Sequence, residues 1–411
     1  MAARPSRDFA GLTLRESVGD PDDPNRLIVG DNVCALAGLR PEFEGRFRCI
    51  YLDPPFNTGR VYDGYSDHRS PDEWIRMMRE RLVLLLPLLA DDGAVFVEID
   101  DTELGSLVLL MDEVFGRAQR VSLVTILRSA TTGHKAKNRG PVNVTDFLLI
   151  YEKRKGLWRC YPQHRERHGV DPAYATVLVN PDAPSEAWRF EPLARFVAAA
   201  EGYSSASSAA RAMGKSVWRD VLARFALSHA DRVVRFAQPR FEAVSRVAQA
   251  LILRSRLERD TVFRLERPGH PDLLLRGGDR LLFLSRKVRQ GPRGPVLVEP
   301  LTNVWDDVPF QGLAKEGGVV FGRNKKPERL LARILALSTT AGDWVLDPFL
   351  GSGTTAAVAH KMDRRWVGIE RGEQAYSLCL PRLSRVVSGL DPTGVTRSSG
   401  WQGGGGFGVY A

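Results

Sequence analysis

The residues best suited to chemistry are Asp53, Pro54, Pro55 and Phe56, which directly follow an apolar stretch at residues 47–52. Two consecutive prolines fix the backbone and remove two amide donors, so nearby carbonyl groups can face a ligand. Asp53 can accept a hydrogen bond from an NH₂ group, and Phe56 offers a face for stacking a flat ring. Together these groups suit the binding of an extruded nucleobase by its amine. In isolation, the same residues could form a strand-terminating turn with a buried phenylalanine.

A glycine-rich turn after Asp347 is the second candidate site. Residues 344–346 are predicted to form a strand, and Gly351 and Gly353 follow it at a spacing that brings the backbone close to a bound cofactor. The next predicted strand ends in Glu370, about twenty residues on, where an acid can accept hydrogen bonds from ribose hydroxyls. This succession predicts a nucleotide or nucleoside site.

The turn lacks the features of two other nucleotide sites. Ala356 stands where a dinucleotide fingerprint has its third glycine, and no Gly-Lys-Ser/Thr follows the glycines, as a P-loop requires. The pattern therefore favours a nucleoside cofactor without a pyrophosphate.

Basic residues are clustered, and the whole chain carries a formal charge of +9. The clusters lie at residues 128–168 and 276–293. Such clusters are typical of proteins that bind a phosphate backbone, although a solvated basic face has the same composition. The candidate DNA-binding residues are Arg128, Lys135, Lys137, Arg139, Arg286, Lys287 and Arg289.

Composition and cysteine usage indicate a soluble, cytoplasmic protein. The 411 residues include 4 scattered cysteines, which suits a reducing compartment, and residues 1–8 lack the apolar run of a signal peptide. The most apolar stretch, residues 82–90, is too short to span a bilayer. His164 and His168 have helical spacing but no further ligands, so no metal site is predicted.

Strands alternate with helices in two parts of the chain, which predicts an α/β fold with a mostly parallel sheet. Between these parts lies a stretch of different character, helical over residues 192–257 and β-like over 261–283. Residues 1–25 are predicted to be a polar, partly disordered lead-in. The glycine-rich residues 398–411 are predicted to be a flexible loop or a terminal hairpin.

Both motifs resemble those of β-class DNA amino-methyltransferases, and most closely the Mod subunits of type III restriction-modification systems. In that class the catalytic loop precedes the target-recognition domain and the cofactor loop comes last. Asp53–Phe56, followed by Asn57, Thr58 and Gly59, resembles the catalytic segment, with Phe56 in place of the commoner tyrosine. Other matching segments are residues 28–32, 93–101, 144–153, 301–306, 324–328, 345–355, 366–370 and 403–410.

The resemblance implies a Rossmann-like, circularly permuted seven-stranded methyltransferase sheet with an inserted target-recognition domain. The implied parts are the lead-in (1–25), the catalytic half (26–154), the target-recognition insert (155–300), the cofactor-binding half (301–397) and the tail (398–411).

The resemblance also implies S-adenosyl-L-methionine as cofactor and assigns roles to single residues. Asp53 and the carbonyl of Pro54 would hold the target amine, Pro55 would stiffen the loop, and Phe56 would stack on the flipped base. Implied cofactor-binding residues are Asp31 (adenine amine), Asn32, Lys326 and Pro327 (methionine end), Asp347, Phe349, Gly351, Gly353, Thr354 (helix start near the carboxylate) and Glu370 (ribose).

The implied function is site-specific methylation of adenine N6 in duplex DNA. Asp53 favours adenine, because the family's cytosine-N4 enzymes more often have serine there; cytosine N4 is the alternative. Methylation of RNA or of a protein glutamine is a further alternative, as is a DNA-binding or assembly protein with an inactive methyltransferase fold. Implied partners are duplex DNA, a second copy of the chain and a restriction subunit.

Overall fold

The computed structural model describes residues 8–9, 11–59, 61–62, 65–66, 68–128, 140–167, 169–291, 294–310, 313–321 and 325–411. The chain divides into two compact units. The first combines Met1–Gln163 with Thr302–Ala411, and the second, His164–Leu301, is inserted between these two parts of the sequence. The predicted insert, residues 155–300, begins nine residues earlier than the second unit.

The strands, in chain order, are β1 (Asp8–Phe9), β2 (Leu12–Gly19), β3 (Arg26–Val29), β4 (Phe47–Leu52), β5 (Val61–Tyr62), β6 (Tyr65–Ser66), β7 (Leu89–Ile99), β8 (Arg120–Leu127), β9 (Thr145–Glu152), β10 (His164–Glu166), β11 (Thr176–Leu178), β12 (Phe190–Pro192), β13 (Val233–Ala237), β14 (Phe263–Arg267), β15 (His270–Arg276), β16 (Asp279–Phe283), β17 (Val288–Gly291), β18 (Gly294–Pro300), β19 (Val304–Trp305), β20 (Trp344–Asp347), β21 (Arg365–Glu370) and β22 (Gly406–Tyr410).

The α-helices are α1 (Asn32–Phe43), α2 (Pro71–Leu88), α3 (Leu104–Met111), α4 (Leu193–Ala200), α5 (Ala206–Met213), α6 (Lys215–Ser228), α7 (Arg246–Leu257), α8 (Glu328–Ser338), α9 (Thr354–Lys361), α10 (Leu380–Val387) and α11 (Thr396–Ser399).

One mixed sheet organises the first unit, in the order β1-β2-β22-β3-β21-β20-β4-β7-β9-β8-β19. Strands β22, β3, β21, β20, β4 and β7 are parallel neighbours, and β9 is antiparallel to both β7 and β8. The predicted α/β fold is confirmed. The seven strands from β3 to β8 in this order are compatible with the predicted circular permutation, because β3 is the first of the seven in the chain and β20 follows only after the insert.

The central strands are buried on both faces, as parallel sheets covered by helices usually are. In β4 and β7, Ile50, Leu52, Val95 and Val97 have no exposed surface. Their carboxyl ends, with those of β20, β21 and β3, meet at one edge of the sheet. Successive strands of the chain are added to the sheet in one direction from β20 and in the opposite direction from β4. Open α/β sheets bind ligands at such a switch point.

Helix α2 covers the sheet near this switch point. It begins at a capping box in which Ser70 and Glu73 satisfy each other's backbone amides. Trp74, Met78 and Leu82 follow at a spacing of four and are completely buried, so one face of the helix packs against the sheet. A proline followed by two acids at residues 71–73 predicts a helix start there, and the helix does begin at Pro71.

Both ends of the chain add strands to the sheet, where the sequence predicted a polar lead-in and a loop or terminal hairpin. Strand β2 pairs antiparallel with β22, Val18 lying opposite Phe407. A side chain at Gly406 would collide with the backbone of Asp20, so glycine here permits the close approach of two strands. Pairing between residues so far apart in sequence leaves no local signal.

The second unit contains a six-stranded antiparallel sheet, β12-β11-β13-β16-β15-β14, and a three-stranded sheet, β10-β18-β17. The predicted β-like stretch at residues 261–283 corresponds to β14–β16. Strand β13 interrupts the stretch predicted to be helical, and β10–β12 precede it. Strands β10–β12 have three residues each, too few to show alternation.

Within the described residues, no helix is long and apolar enough to cross a membrane, and no cluster of His, Cys, Asp and Glu could hold a metal ion. His164 lies in strand β10 rather than in a helix, and His168 is outside the described residues.

Candidate active site

The loop Asp53–Phe56 leaves the sheet at the carboxyl end of β4 and is held on two sides. The Trp74 indole N–H of α2 donates to the Pro55 carbonyl at 2.7 Å. Asn57, in the left-handed conformation with φ 60°, donates through its side chain to Glu103 at 2.7 Å. These bonds fix the backbone of the loop at Pro55 and just beyond Phe56.

Asp53 lies against a buried lysine. The ammonium of Lys326 is 3.0 Å from an Asp53 carboxylate oxygen and 2.7 Å from Glu98 of β7. The hydroxyl of Tyr51 donates to the other Glu98 oxygen at 2.6 Å. The same ammonium lies 4.7 Å from the centre of the Phe56 ring, which is cation–π distance. Lys326 therefore contacts both side chains that the sequence selected for target binding.

The carboxylates around Lys326 have perturbed acidities. Burial raises the pKa of Asp53 to about 7, against the lowering effect of the Lys326 ammonium. Burial also raises the pKa of Asp146 in β9 to about 6, although Lys326 and Arg128 lower it. Burial alone would lower the pKa of Lys326, but Asp53 and Glu98 raise it above its usual value. The lysine is therefore charged at neutral pH.

The glycine-rich turn follows β20, and hydrogen bonds to the Asp347 side chain stabilise it. This carboxylate accepts from the Phe349 amide at 2.9 Å and from the Thr355 hydroxyl at 2.5 Å. Gly351 and Gly353 have left-handed backbones, φ 57° and 79°, which side chains rarely tolerate. The turn therefore depends on glycine at both positions.

Glu370, at the end of β21, reaches the same turn. Its carboxylate accepts from the Gly351 amide at 2.6 Å. Burial raises the pKa of Glu370 to about 7 and that of Asp347 to about 7. Thr354 begins α9, and its hydroxyl accepts from buried Arg382 at 2.7 Å. This hydrogen bond holds the first residue of the helix in place.

Asp31 and Asn32 connect the end of β3 to this turn. Asp31 caps α1 by accepting from the Val33 amide at 2.9 Å. The Asn32 side chain donates to the Pro348 carbonyl at 2.9 Å and accepts from Arg81 at 2.7 Å. The ends of β3, β20 and β21 thus lie side by side.

One cavity of the first unit joins the two sequence motifs. Its walls come from the end of β4, the residues before α8, and the glycine turn. The lining residues are Tyr51, Asp53, Phe321, Lys326, Asp347, Phe349, Leu350, Gly351, Ser352, Thr354 and Thr355.

Of the predicted site residues, the structure brings Asp53, Lys326, Asp347, Phe349, Gly351 and Thr354 together at this cavity. Pro54, Pro55, Phe56, Gly353 and Glu370 adjoin these residues in the loop, the turn and the end of β21 without lining it. Lys326, which the resemblance implied near the methionine end of the cofactor, is bonded to Asp53. Pro327 is buried and precedes α8. Asp31 and Asn32 stand at the neighbouring strand end and do not line the cavity.

The predicted DNA-binding residues separate into three groups. Lys135, Lys137 and Arg139 lie outside the described residues. Arg128 is 3.2 Å from the buried carboxylate of Asp146 and is already paired. Arg286 and Arg289, with half-buried Lys287 between them, are exposed on the second unit.

The residues that surround Lys326 were not predicted from the sequence. Glu98 and Asp146 are completely buried acids within the apolar strands β7 and β9. A charge in such a strand needs a partner, and that was the available signal. The identity of the partner was not readable, because Lys326 lies 228 positions from Glu98.

The sequence matches the DNA methylase family over residues 47–195 and 286–380, more than half of the chain. The chain therefore belongs to this family, and the matched residues include Asp53–Phe56, the glycine turn and Glu370. Membership confirms the predicted class, a DNA methyltransferase, and its cofactor, S-adenosylmethionine.

Curated relatives include the probable type III restriction-modification enzyme HindVI Mod subunit of Haemophilus influenzae, which is 30% identical over 98% of this chain. The type II methyltransferase M.EcaI of Enterobacter cloacae is 26% identical over 88% of it. The chain spans 56% and 70% of the lengths of these relatives. These matches confirm the resemblance to Mod subunits. Among solved structures, a putative DNA modification methylase of Thermus thermophilus, complexed with S-adenosylmethionine, has a TM-score of 0.41 and 14% identity, covering 88% of this chain and 95% of that one.

Proposed function

We propose that this chain transfers a methyl group from S-adenosylmethionine to N6 of an adenine flipped out of duplex DNA. The observation that carries the proposal is the shared cavity, which is lined both by Asp53 and by the glycine turn. A base held at Asp53 and a cofactor held at the turn would be neighbours there. Proximity of this kind supplies a large share of the rate acceleration in group transfer.

The residues at the turn fit a nucleoside cofactor. Left-handed Gly351 and Gly353 keep the backbone free of side chains, and Glu370 and Asp31 follow adjacent strands. Glu370 would accept from ribose hydroxyls and Asp31 from the adenine amine, with Phe349 against the ring. Bound S-adenosylmethionine supplies an electrophilic methyl group attached to sulfur.

The residues at Asp53 fit an exocyclic amine. The Asp53 carboxylate and the Pro54 carbonyl would accept the two amine hydrogens, and the Phe56 ring would stack on the base. These contacts direct the nitrogen lone pair toward the methyl group. The amine proton is shed more readily after the nitrogen has been methylated, so no strong base is required beforehand.

Methyl incorporation into different substrates tests this proposal. The purified chain, incubated with radiolabelled S-adenosylmethionine, should label duplex DNA and leave RNA and protein unlabelled. Long-read sequencing of the treated DNA should place the modification within one short sequence motif. Label confined to RNA or protein, or no label in any substrate, would contradict the proposal.

Glu370→Ala is expected to weaken cofactor binding by about 10- to 100-fold, because hydrogen bonds to a charged acceptor contribute roughly 1.5–3 kcal/mol. Isothermal titration with S-adenosylmethionine measures this effect. Glu373→Ala removes an exposed carboxylate three residues further on and should leave the affinity unchanged. Equal affinity of Glu370→Ala and the parent protein would exclude the assigned role.

Arg286 and Arg289 are the strongest candidates for contacts to the DNA backbone. Arg289 donates only to the carbonyls of Arg286 and Val288, and neither arginine has an acidic partner in the described part of the chain. Lys287 lies 5.7 Å from the centre of the Tyr174 ring. The exposed guanidinium groups are therefore available for phosphates.

Replacing Arg286 and Arg289 together by glutamine should reduce the salt dependence of DNA binding. The slope of log affinity against log salt should fall by about 0.9 for each lost phosphate contact. The control replaces Arg254 and Arg264, exposed arginines of the same unit that pair with Glu258 and Asp272. An unchanged slope in the test variant would show that this surface does not meet the backbone.

We also infer that the chain works as a modification subunit that forms a homodimer and associates with a restriction subunit. The HindVI relative is named as the Mod subunit of a probable type III restriction-modification enzyme. Exposed apolar residues at the edge of the sheet, Val121, Leu123 and Leu127 of β8 with Val304 of β19, support a protein partner. Light scattering distinguishes monomer from dimer.

A further inference from the structure

Lys326 occupies the centre of a buried charge network beside the methyl-transfer cavity. Its side chain is 12% exposed and contacts one oxygen each of Asp53 and Glu98. Tyr51 donates to the second Glu98 oxygen, so both oxygens of this carboxylate have partners. Glu98 therefore acts as an anchor that holds the ammonium in place.

The two carboxylates that share the ammonium have different surroundings. Glu98 has no exposed surface, whereas the Asp53 side chain is 22% exposed and lines the cavity. One face of the Asp53 carboxylate is therefore bonded to Lys326, and the other can meet a ligand. The ammonium also lies over the Phe56 ring, so a single cation touches both side chains that would hold the base.

We propose that Lys326 is a positioning residue for methyl transfer, which favours the ionised form of Asp53 and orients it as a hydrogen-bond acceptor for the target amine. This inference rests on the proposed function of the cavity. It differs from the role implied by the resemblance, in which Lys326 sits near the methionine end of the cofactor. The two roles predict different defects when the lysine is removed.

The physical reason is the protonation state of Asp53. Burial and the nearby Glu98 raise its pKa, and Lys326 opposes them. A neighbouring opposite charge lowers a carboxyl pKa by about 1–3 units, so loss of the ammonium should protonate Asp53 at neutral pH. A protonated Asp53 could turn its hydroxyl toward the amine, where two donors would face each other.

Other charged groups around this site set its net charge. The acids are Glu98 on β7, Asp146 on β9 and Asp347 on β20, and Tyr51 on β4 is neutral because burial and Glu98 raise its pKa. Arg128 is paired with Asp146. With Lys326 removed, the nearby charge at Asp53 is predominantly negative. Protonation of a carboxyl group then reduces the repulsion between these charges at the lowest cost in free energy.

The test is the pH dependence of the single-turnover rate in the full chain carrying Lys326→Met. The rate should fall at least about fivefold at pH 7 and recover as the pH rises, because the midpoint of the acidic limb of the pH–rate profile moves up by about 1 unit or more. Lys326→Arg keeps the charge, so the midpoint of its acidic limb should lie close to that of the parent protein. The affinity for S-adenosylmethionine, measured by titration, should change less than about threefold.

Lys325→Met is the matched control. Lys325 is also buried, but within the described residues its ammonium donates only to the carbonyls of Ala314, Glu316 and Val319. This variant should lose thermal stability without moving the acidic limb. Melting temperatures of all variants separate misfolding from altered titration.

Two results for Lys326→Met would overturn the inference. A rate that falls equally at every pH would show that Lys326 does not control ionisation of Asp53. A large loss of affinity for S-adenosylmethionine, with the acidic limb at the same pH as in the parent protein, would instead place Lys326 at the methionine end of the cofactor. Failure of the proposed function is separate, because then the parent protein does not methylate DNA, or Asp53→Ala remains active.

Discussion

Asp53→Ala is expected to lower the single-turnover rate of methyl transfer by about 100-fold or more, the effect of removing one preorganised polar group from an active site. The other carboxylate lining the cavity, Asp347, is engaged by the Phe349 amide and the Thr355 hydroxyl. It cannot take over as acceptor for the amine. Rapid-quench measurement with a duplex substrate gives the rate.

Cofactor binding should survive this substitution, because Gly351 and Glu370 are bonded to each other and not to Asp53. The dissociation constant for S-adenosylmethionine should stay within about threefold of the parent value. As a control, Asp91→Ala removes an exposed carboxylate near the start of β7, which pairs with Lys153 and Arg154. Retained turnover in Asp53→Ala would refute the assigned role, and lost cofactor binding would show a wider structural defect.

Glu328→Gln should produce the largest loss of stability. The Glu328 carboxylate is completely buried and accepts from Lys361 at 2.8 Å, Arg382 at 2.8 Å and the Val395 amide at 3.0 Å. Asp391 completes the cluster by pairing with Lys361 at 2.7 Å. Removing one partner of a buried ion pair costs about 3–5 kcal/mol. Lys361 keeps its pair with Asp391, whereas Arg382 stays buried after losing its ion pair with Glu328.

Urea unfolding of the full chain measures this loss. Glu44→Gln is the matched control: Glu44 pairs with Arg40 at the surface, and such pairs contribute about 1 kcal/mol or less. Arg382 also holds Thr354 at the glycine turn, so Glu328→Gln should weaken cofactor binding as well. Equal stability of the two variants would contradict the account of this cluster.

The sequence predicted the elements that carry the site, because each has a strong local pattern. Apolar runs that end in an acid or in proline marked β4, β20 and β21, and their observed bounds agree closely with the prediction. The sequence also predicts a short helical stretch at residues 34–39, but helix α1 covers Asn32–Phe43, because its buried face continues past Pro41. Local signals thus located the strand ends and misjudged one helix.

The contacts between distant residues could not be predicted. Nothing near Lys326 in sequence indicates Tyr51, Glu98 or Asp146, since the sheet brings them together only after β4, β7 and β9 are paired. The pairing of β2 with β22 was missed for the same reason. The sequence of the second unit likewise contains no local pattern from which a DNA recognition sequence follows.

Methylation of adenine N6 at a site that depends on Asp53 is tested most directly by the identity of the modified base. DNA treated with the parent protein and with Asp53→Ala is digested to nucleosides and examined by mass spectrometry. We expect N6-methyladenine with the parent protein and none with the variant. N4-methylcytosine as the sole product, or equal N6-methyladenine from both proteins, would contradict it.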